Sequence, residues 1–195
     1  MKTTNSSLKS FSRTALATLA IAIVSGLSVP STQAGYTVTL QEVGANVLAI
    51  GIGVFDLTGL TAAGSSGVTL ALIRPAVPGI IMGTTASSVP SDIFRGFTGP
   101  TNFGSGGTTP ANLGSGDKVA LSNQPGSAFM TVPAGYVSGA PLLSSDTYSG
   151  QTFASLGVTP GTYVWSWGTG ANQNFTLRIG AVPESGSSIL CSSCP

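Results

Sequence analysis

The carboxylates in the body of this chain that could do acid–base chemistry are Glu42, Asp56, Asp92, Asp117 and Asp146. The 195-residue chain contains no histidine, so neither a Ser-His-Asp nor a Cys-His nucleophilic group can be assembled. A glycoside hydrolase needs only two facing carboxyls, which keeps a carboxylate-dependent glycan-active enzyme as a minor alternative. Each of these acids falls near a predicted turn or strand end, where carboxylates ordinarily cap backbone N–H groups. They are therefore expected to be structural, and no catalytic residue is assigned. Calcium held by Asp56, Asp117 or Asp146 would need a spaced carboxylate motif that is missing, so no metal site is assigned. Gly51-Ile52-Gly53 lacks the third glycine and following helix of a dinucleotide-binding turn, and there is no Gly-x-Ser-x-Gly elbow. No cofactor is expected.

Two further groups could carry chemistry. Cys191 and Cys194 lie in the last five residues; they can close a small local disulfide or bridge two chains, but two thiols fall short of a zinc site. Tyr163, Trp165 and Trp167 alternate along one predicted strand and form the candidate glycan contact, because aromatic faces in a row stack on sugar rings. The same alternation suits a buried face, and core packing is the favoured reading. Asn174-Phe175-Thr176 fits a glycosylation acceptor pattern, to which a mid-strand position gives no meaning.

These residues must be positioned by strands. Tyr36, Val38 and Leu40 alternate against Thr37, Thr39 and Gln41, the period of a half-buried strand. Gly44-Ala45-Asn46 turns the chain into a second run, Val47 to Phe55, with Leu48, Ile50, Ile52 and Val54 on one face. The other face carries Ala49, Gly51 and Gly53, small residues that admit close approach of a neighbour. A third strand is predicted over Val68 to Ile73, ended by Arg74-Pro75. From Pro75 to Pro125 glycine and proline steps predict long loops, with strand fragments at Ser91 to Phe97 and Lys118 to Ser122 and a further fragment following at Ala128 to Val132. Gln151 to Leu156 predicts one helical turn, and Thr162 to Trp167 with Gln173 to Ile179 predicts a hairpin. The expected fold class is all-β: a single glycine-rich antiparallel sandwich or jelly-roll-like domain spanning 35–180.

The front of the chain reads as an export signal. Lys2, Lys9 and Arg13 precede an apolar run of 13 residues from Ala15 to Leu27, and Pro30 leads to a small-residue site at Thr32-Gln33-Ala34. The run is shorter than the ~20 residues a spanning helix needs, so residues 1–34 are expected to be a signal peptide cleaved between Ala34 and Gly35. The remaining 161 residues carry four basic and six acidic side chains, a net charge of −2. Isolated basic residues cannot form the stripe that tracks phosphates, which excludes nucleic acid as a partner. Only 7% of residues are charged, against ~25% in ordinary domains, so solubility rests on Ser, Thr, Asn and Gly.

At the other end, Ala181 is followed by Val182-Pro183-Glu184-Ser185-Gly186-Ser187, which resembles the start of the PEP-CTERM sorting signal of exported bacterial proteins. Leu40 to Val47, Asp56 to Leu60 and Gly161 to Gly168 are similar to the bodies of uncharacterised members of that class. The resemblance implies recognition by an exosortase, a membrane-embedded cysteine transpeptidase-like enzyme, in bacteria that make extracellular polysaccharide. Pro183 and Glu184 match the motif, and Ser185 stands where a second proline is usual. Members continue into a spanning helix and arginines, whereas Ile189 to Pro195 provides seven residues. Either a frameshift or truncation has removed the anchor, the favoured explanation, or the protein is released without one. The expectation is a non-enzymatic exported protein of the bacterial envelope or matrix, with residues 181–195 an incomplete sorting tail. Its expected partners are the export machinery, an exosortase and extracellular polysaccharide; a carbohydrate-binding module is the alternative.

Overall fold

The computed structural model describes residues 35–180 except residues 69, 86 and 87. The signal segment with Ala34, the motif Val182–Ser187, and Cys191 and Cys194 all lie outside the described residues. Among these, 13 strands and one short helix follow in chain order. The first five strands are β1 (Tyr36–Val43), β2 (Asn46–Gly53), β3 (Thr61–Val68), β4 (Leu72–Arg74) and β5 (Gly79–Met82). Then come β6 (Val89–Arg95), β7 (Thr109–Pro110), β8 (Leu113–Gly116), β9 (Val119–Ser122) and β10 (Phe129–Pro133). The chain closes with β11 (Leu142–Ser149), the single helix α1 (Phe153–Leu156), β12 (Gly161–Ser166) and β13 (Asn174–Ile179).

The strands form two sheets, β12-β13-β1-β2-β11-β8 and β3-β6-β10-β9-β5-β4-β7. Every pairing is antiparallel except β1 with β13, which run parallel with Tyr36 opposite Phe175 and Leu40 opposite Ile179. The inner faces enclose one apolar core in which Tyr36, Val38 and Leu40 of the first sheet share a cluster with Ile73, Ile80, Met82, Leu121 and Val132 of the second. This is the predicted all-β sandwich. Its stability rests on that packing, since burial of apolar surface contributes ~25 cal/mol per Å² and no cysteine is found in 35–180.

Strands whose apolar residues alternate lie where the pattern predicts. β1 buries Tyr36, Val38 and Leu40, and β12 with β13 forms the expected hairpin. In β2 it is the small face, Val47, Ala49 and Gly51, that turns inward, while Leu48 and Ile50 are half-buried and Ile52 is exposed. Gly51 makes room for a ring: a Cβ there would lie 2.0 Å from the Tyr36 hydroxyl.

Several elements depart from expectation, among them the short strands β7 and β8 inside the predicted loop region. The apolar run from Val68 to Ile73 is not one strand; it divides between the end of β3 and the start of β4. β3 escapes the alternation test because Thr61–Gly67 are exposed on both faces, so nothing selects apolar residues there. β5 is a four-residue strand inside the predicted loop region. β11, unpredicted, turns Leu142, Ser144, Asp146 and Tyr148 inward and leaves Leu143 58% exposed, reversing the usual contrast. The helical turn is present as α1, where Thr152 accepts from Ser155 N–H and Ser155 reaches back in a capping box. Gly157 ends it at φ 64°, a left-handed conformation that favours glycine.

Candidate functional site

Four of the five acids are spent on backbone and side-chain hydrogen bonds at the edges of the fold. At the end of β1, Glu42 accepts from the first N–H of α1, at Phe153. Asp56, in the loop after β2, accepts from Thr58 N–H at 2.9 Å and from Gln173 Nε2 at 3.0 Å. These bonds, the Thr58 ones first, hold its pKa below the ordinary carboxylate value. Asp92 on β6 accepts from Gly135 N–H and the Ser65 hydroxyl, both at 2.8 Å, and is likewise held low. Asp117, just before β9, accepts from Leu143 N–H at 2.8 Å. Among the described residues no three acid, cysteine or histidine side chains gather as a metal site would require.

Asp146 departs from the expectation that every acid sits near a turn or strand end. It lies in the middle of β11, 1% exposed, facing the core. Its Oδ1 accepts from Gly83 N–H at 3.1 Å, the end of β5 in the opposite sheet, while Oδ2 has no partner. Burial pushes its pKa up to about 7, against the opposing pull of the Gly83 N–H and the Lys118 charge. Lys118 is 1% exposed and donates to the carbonyl of Thr84, the residue after Gly83. Burial lowers its pKa, with Asp146 opposing. Tyr148, two residues along β11, is fully buried with an unpartnered hydroxyl. Tyr36 completes the group: its hydroxyl donates to Ser144 Oγ at 2.8 Å, and Ser144 donates to the Asp117 carbonyl at 2.6 Å. Burial first, and then the charges of Asp146 and Asp117, raise the pKa of Tyr36.

This polar cluster gathers Asp146, Lys118, Tyr148 and Tyr36 within the sandwich, and sequence reasoning missed it. Its one sequence signal was Asp146 two residues from Tyr148 on alternating positions, and Leu142-Leu143-Ser144-Ser145 hid the strand that carries them. The arrangement can hold or release a proton, and Asp146 is the group whose pKa falls near neutrality.

The aromatic row, Tyr163 and Trp165 on β12 and Trp167 just after it, takes the core-packing role. Trp165 is fully buried, edge-on to Phe175 at 5.9 Å and to Phe103 at 6.4 Å, and its indole N–H donates to the Pro100 carbonyl at 3.0 Å. Trp167 is 8% exposed and donates to the Asp56 carbonyl at 2.8 Å. Tyr163 is half-buried against Phe103 and donates to the Thr159 carbonyl. The two tryptophans thus present no open face for a sugar ring, because the alternation that aligns them also points them between the sheets. Asn174 is tied to the Ala171 carbonyl and accepts from the buried Thr176 hydroxyl, which engages the acceptor pattern within the hairpin.

Among the described residues, no helix is long and apolar enough to cross a membrane. No protein-family model matches the chain, and neither a curated protein nor a solved structure is found to be similar to it.

Proposed function

We propose that this chain is a non-enzymatic exported protein of the bacterial envelope or extracellular matrix, delivered by an N-terminal signal and bearing an exosortase-type sorting motif at Val182–Ser187. The observation that carries the reading is the order of the sequence: a basic, apolar and small-residue leader through Ala34, one β domain, then Pro183-Glu184 directly after the last strand. Supporting it, the domain is held by packing, and four of its acids serve as structural acceptors. Its weakly charged, Ser- and Thr-rich exterior suits contact with extracellular polysaccharide through hydrogen bonds, with the tryptophans held inside.

The test is expression of the full chain in a bacterium that possesses an exosortase, followed by fractionation and N-terminal sequencing. A processed product beginning at Gly35 outside the cytoplasm is expected. Retention of an intact Met1 chain in the cytosol would refute export. Replacing Pro183 and Glu184 by alanine, or deleting the exosortase, should shift the product between envelope and medium. An unchanged distribution would refute the sorting half of the proposal.

A further inference from the structure

Asp146 is set in a slot built for it. On one side stands Gly114 of β8, paired with Asp146 across the ladder; a Cβ there would lie 2.6 Å from Asp146 Oδ1 and 2.3 Å from the Gly83 carbonyl oxygen. On the other stands Gly83, at φ 95°, where a Cβ would lie 2.1 Å from the Asp117 carbonyl oxygen. Both positions exclude any larger residue, so three backbone segments close around one carboxyl. The Gly83–Asp146 hydrogen bond joins the two sheets, and Lys118 grips the next peptide group, at Thr84.

We propose that Asp146 is a proton-operated latch between the sheets, closed while its carboxyl is neutral, and that ionisation releases the Gly83 end of β5 together with strand β8. A neutral carboxyl here leaves only its Oδ2 O–H unpaired, whereas a carboxylate buries a full charge whose second oxygen also needs donors. Oδ2 has none. The titratable groups that face it are Lys118 beside β9, Tyr148 on its own strand and Tyr36 on β1, with Asp117 in the β8–β9 link acting on Tyr36. The Gly83 N–H and then Lys118 favour the ionised form, but burial outweighs both, and Lys118 is bound to Thr84. The element that yields is β8, because it has four residues, lies at the sheet edge and pairs with β11 alone. Short edge segments open at low free-energy cost. The same site then exposes Asp146 and Tyr148 to water. This inference does not depend on where the protein is delivered.

Hydrogen exchange of the full chain, corrected for the intrinsic pH dependence, reads the opening directly. Measured between pH 5.5 and 8.5, the opening constants of peptides spanning residues 79–84 and 112–118 should rise by up to ~10-fold per pH unit while the opened carboxyl is ionised and the closed one neutral, and should level off once Asp146 ionises in the closed state. In Asp146→Asn they should stay flat. A pH-independent opening constant in the wild-type chain, or the same rise in Asp146→Asn, would overturn the latch. A second readout needs no variant: the carboxyl carbon of Asp146, followed by NMR, should titrate at the pH where the rise in opening levels off. A midpoint in the ordinary aspartate range would overturn it.

Discussion

Gly51→Ala is a one-carbon test of how the core is built. The new Cβ would fall 2.0 Å from the Tyr36 hydroxyl and 2.6 Å from its Cζ. Tyr36 cannot step aside freely, because its ring packs against Phe55 at 5.2 Å and Phe175 at 5.6 Å and it is fully buried. Overpacking of this kind costs ~1–3 kcal/mol. Displacing the hydroxyl from Ser144 adds ~1 kcal/mol for the lost hydrogen bond. Replacing a strand glycine by alanine returns ~0.5–1 kcal/mol through backbone entropy, leaving a net loss of about 2 kcal/mol. Urea unfolding followed by tryptophan fluorescence measures it, since both indoles are buried in the native fold. Tyr36→Leu alone should cost ~2–4 kcal/mol for the cavity. In that background the obstacle is gone, and Gly51→Ala should become neutral or stabilising by up to ~1 kcal/mol. An equal cost of Gly51→Ala in both backgrounds would show that the ring is not what the glycine accommodates.

Three further outcomes follow from the site. Acrylamide should quench the native tryptophans several-fold less than those of the urea-unfolded chain, since Trp165 is 0% and Trp167 8% exposed; comparable quenching would restore the aromatic row as a glycan surface. Asp146 has a folded pKa of about 7 against an ordinary 3.8, so its contribution to stability is fully present below pH ~4 and lost as pH rises through 7. At 1.36 kcal/mol per unit the full loss is on the order of 4 kcal/mol, and denaturant unfolding of Asp146→Asn across that range should lack this component. Asp92 works in the opposite direction: held low by Gly135 N–H and then Ser65, it favours the fold above its unfolded pKa and loses that contribution as pH falls through the folded one. Acid-unfolding curves of Asp92→Asn should therefore be flatter than wild type below pH ~4, and an identical acid limb would refute that role.

The sequence made the sandwich legible wherever the inner face was apolar and the outer face polar. β1 and the β12–β13 hairpin satisfy that condition, with Tyr36, Val38 and Leu40 buried on one and Trp165, Phe175, Leu177 and Ile179 on the other. α1 was legible through its local signals, because Thr152 and Gly157 mark a helix start and stop whatever surrounds them. The parallel pairing of β1 with β13 was not, since it joins segments more than a hundred residues apart and no local pattern encodes which strand a neighbour will be. β3 failed for a different reason: both of its faces meet solvent, and alternation is a signal of one-sided burial.

The failure at β11 concerns the candidate site itself. A strand that buries Ser144 and Asp146 and exposes Leu143 contradicts the rule that burial selects apolar side chains, and it can do so only because these polar groups find partners inside the sandwich, Ser144 within its own sheet and Asp146 across to the other. Ser144 has Tyr36 and Asp117, and Asp146 has Gly83. Those partners are admitted by glycines: Gly51 leaves space for the Tyr36 ring, while Gly83 and Gly114 bring two backbones against the carboxyl. At these three positions the missing Cβ is what lets a polar or aromatic group enter. An alternation test weighs each position by its own side chain. Here the decisive property of Gly114 is the side chain that faces it, which is why Asp146 reads as a turn acid in the sequence and as a buried, proton-holding group in the structure.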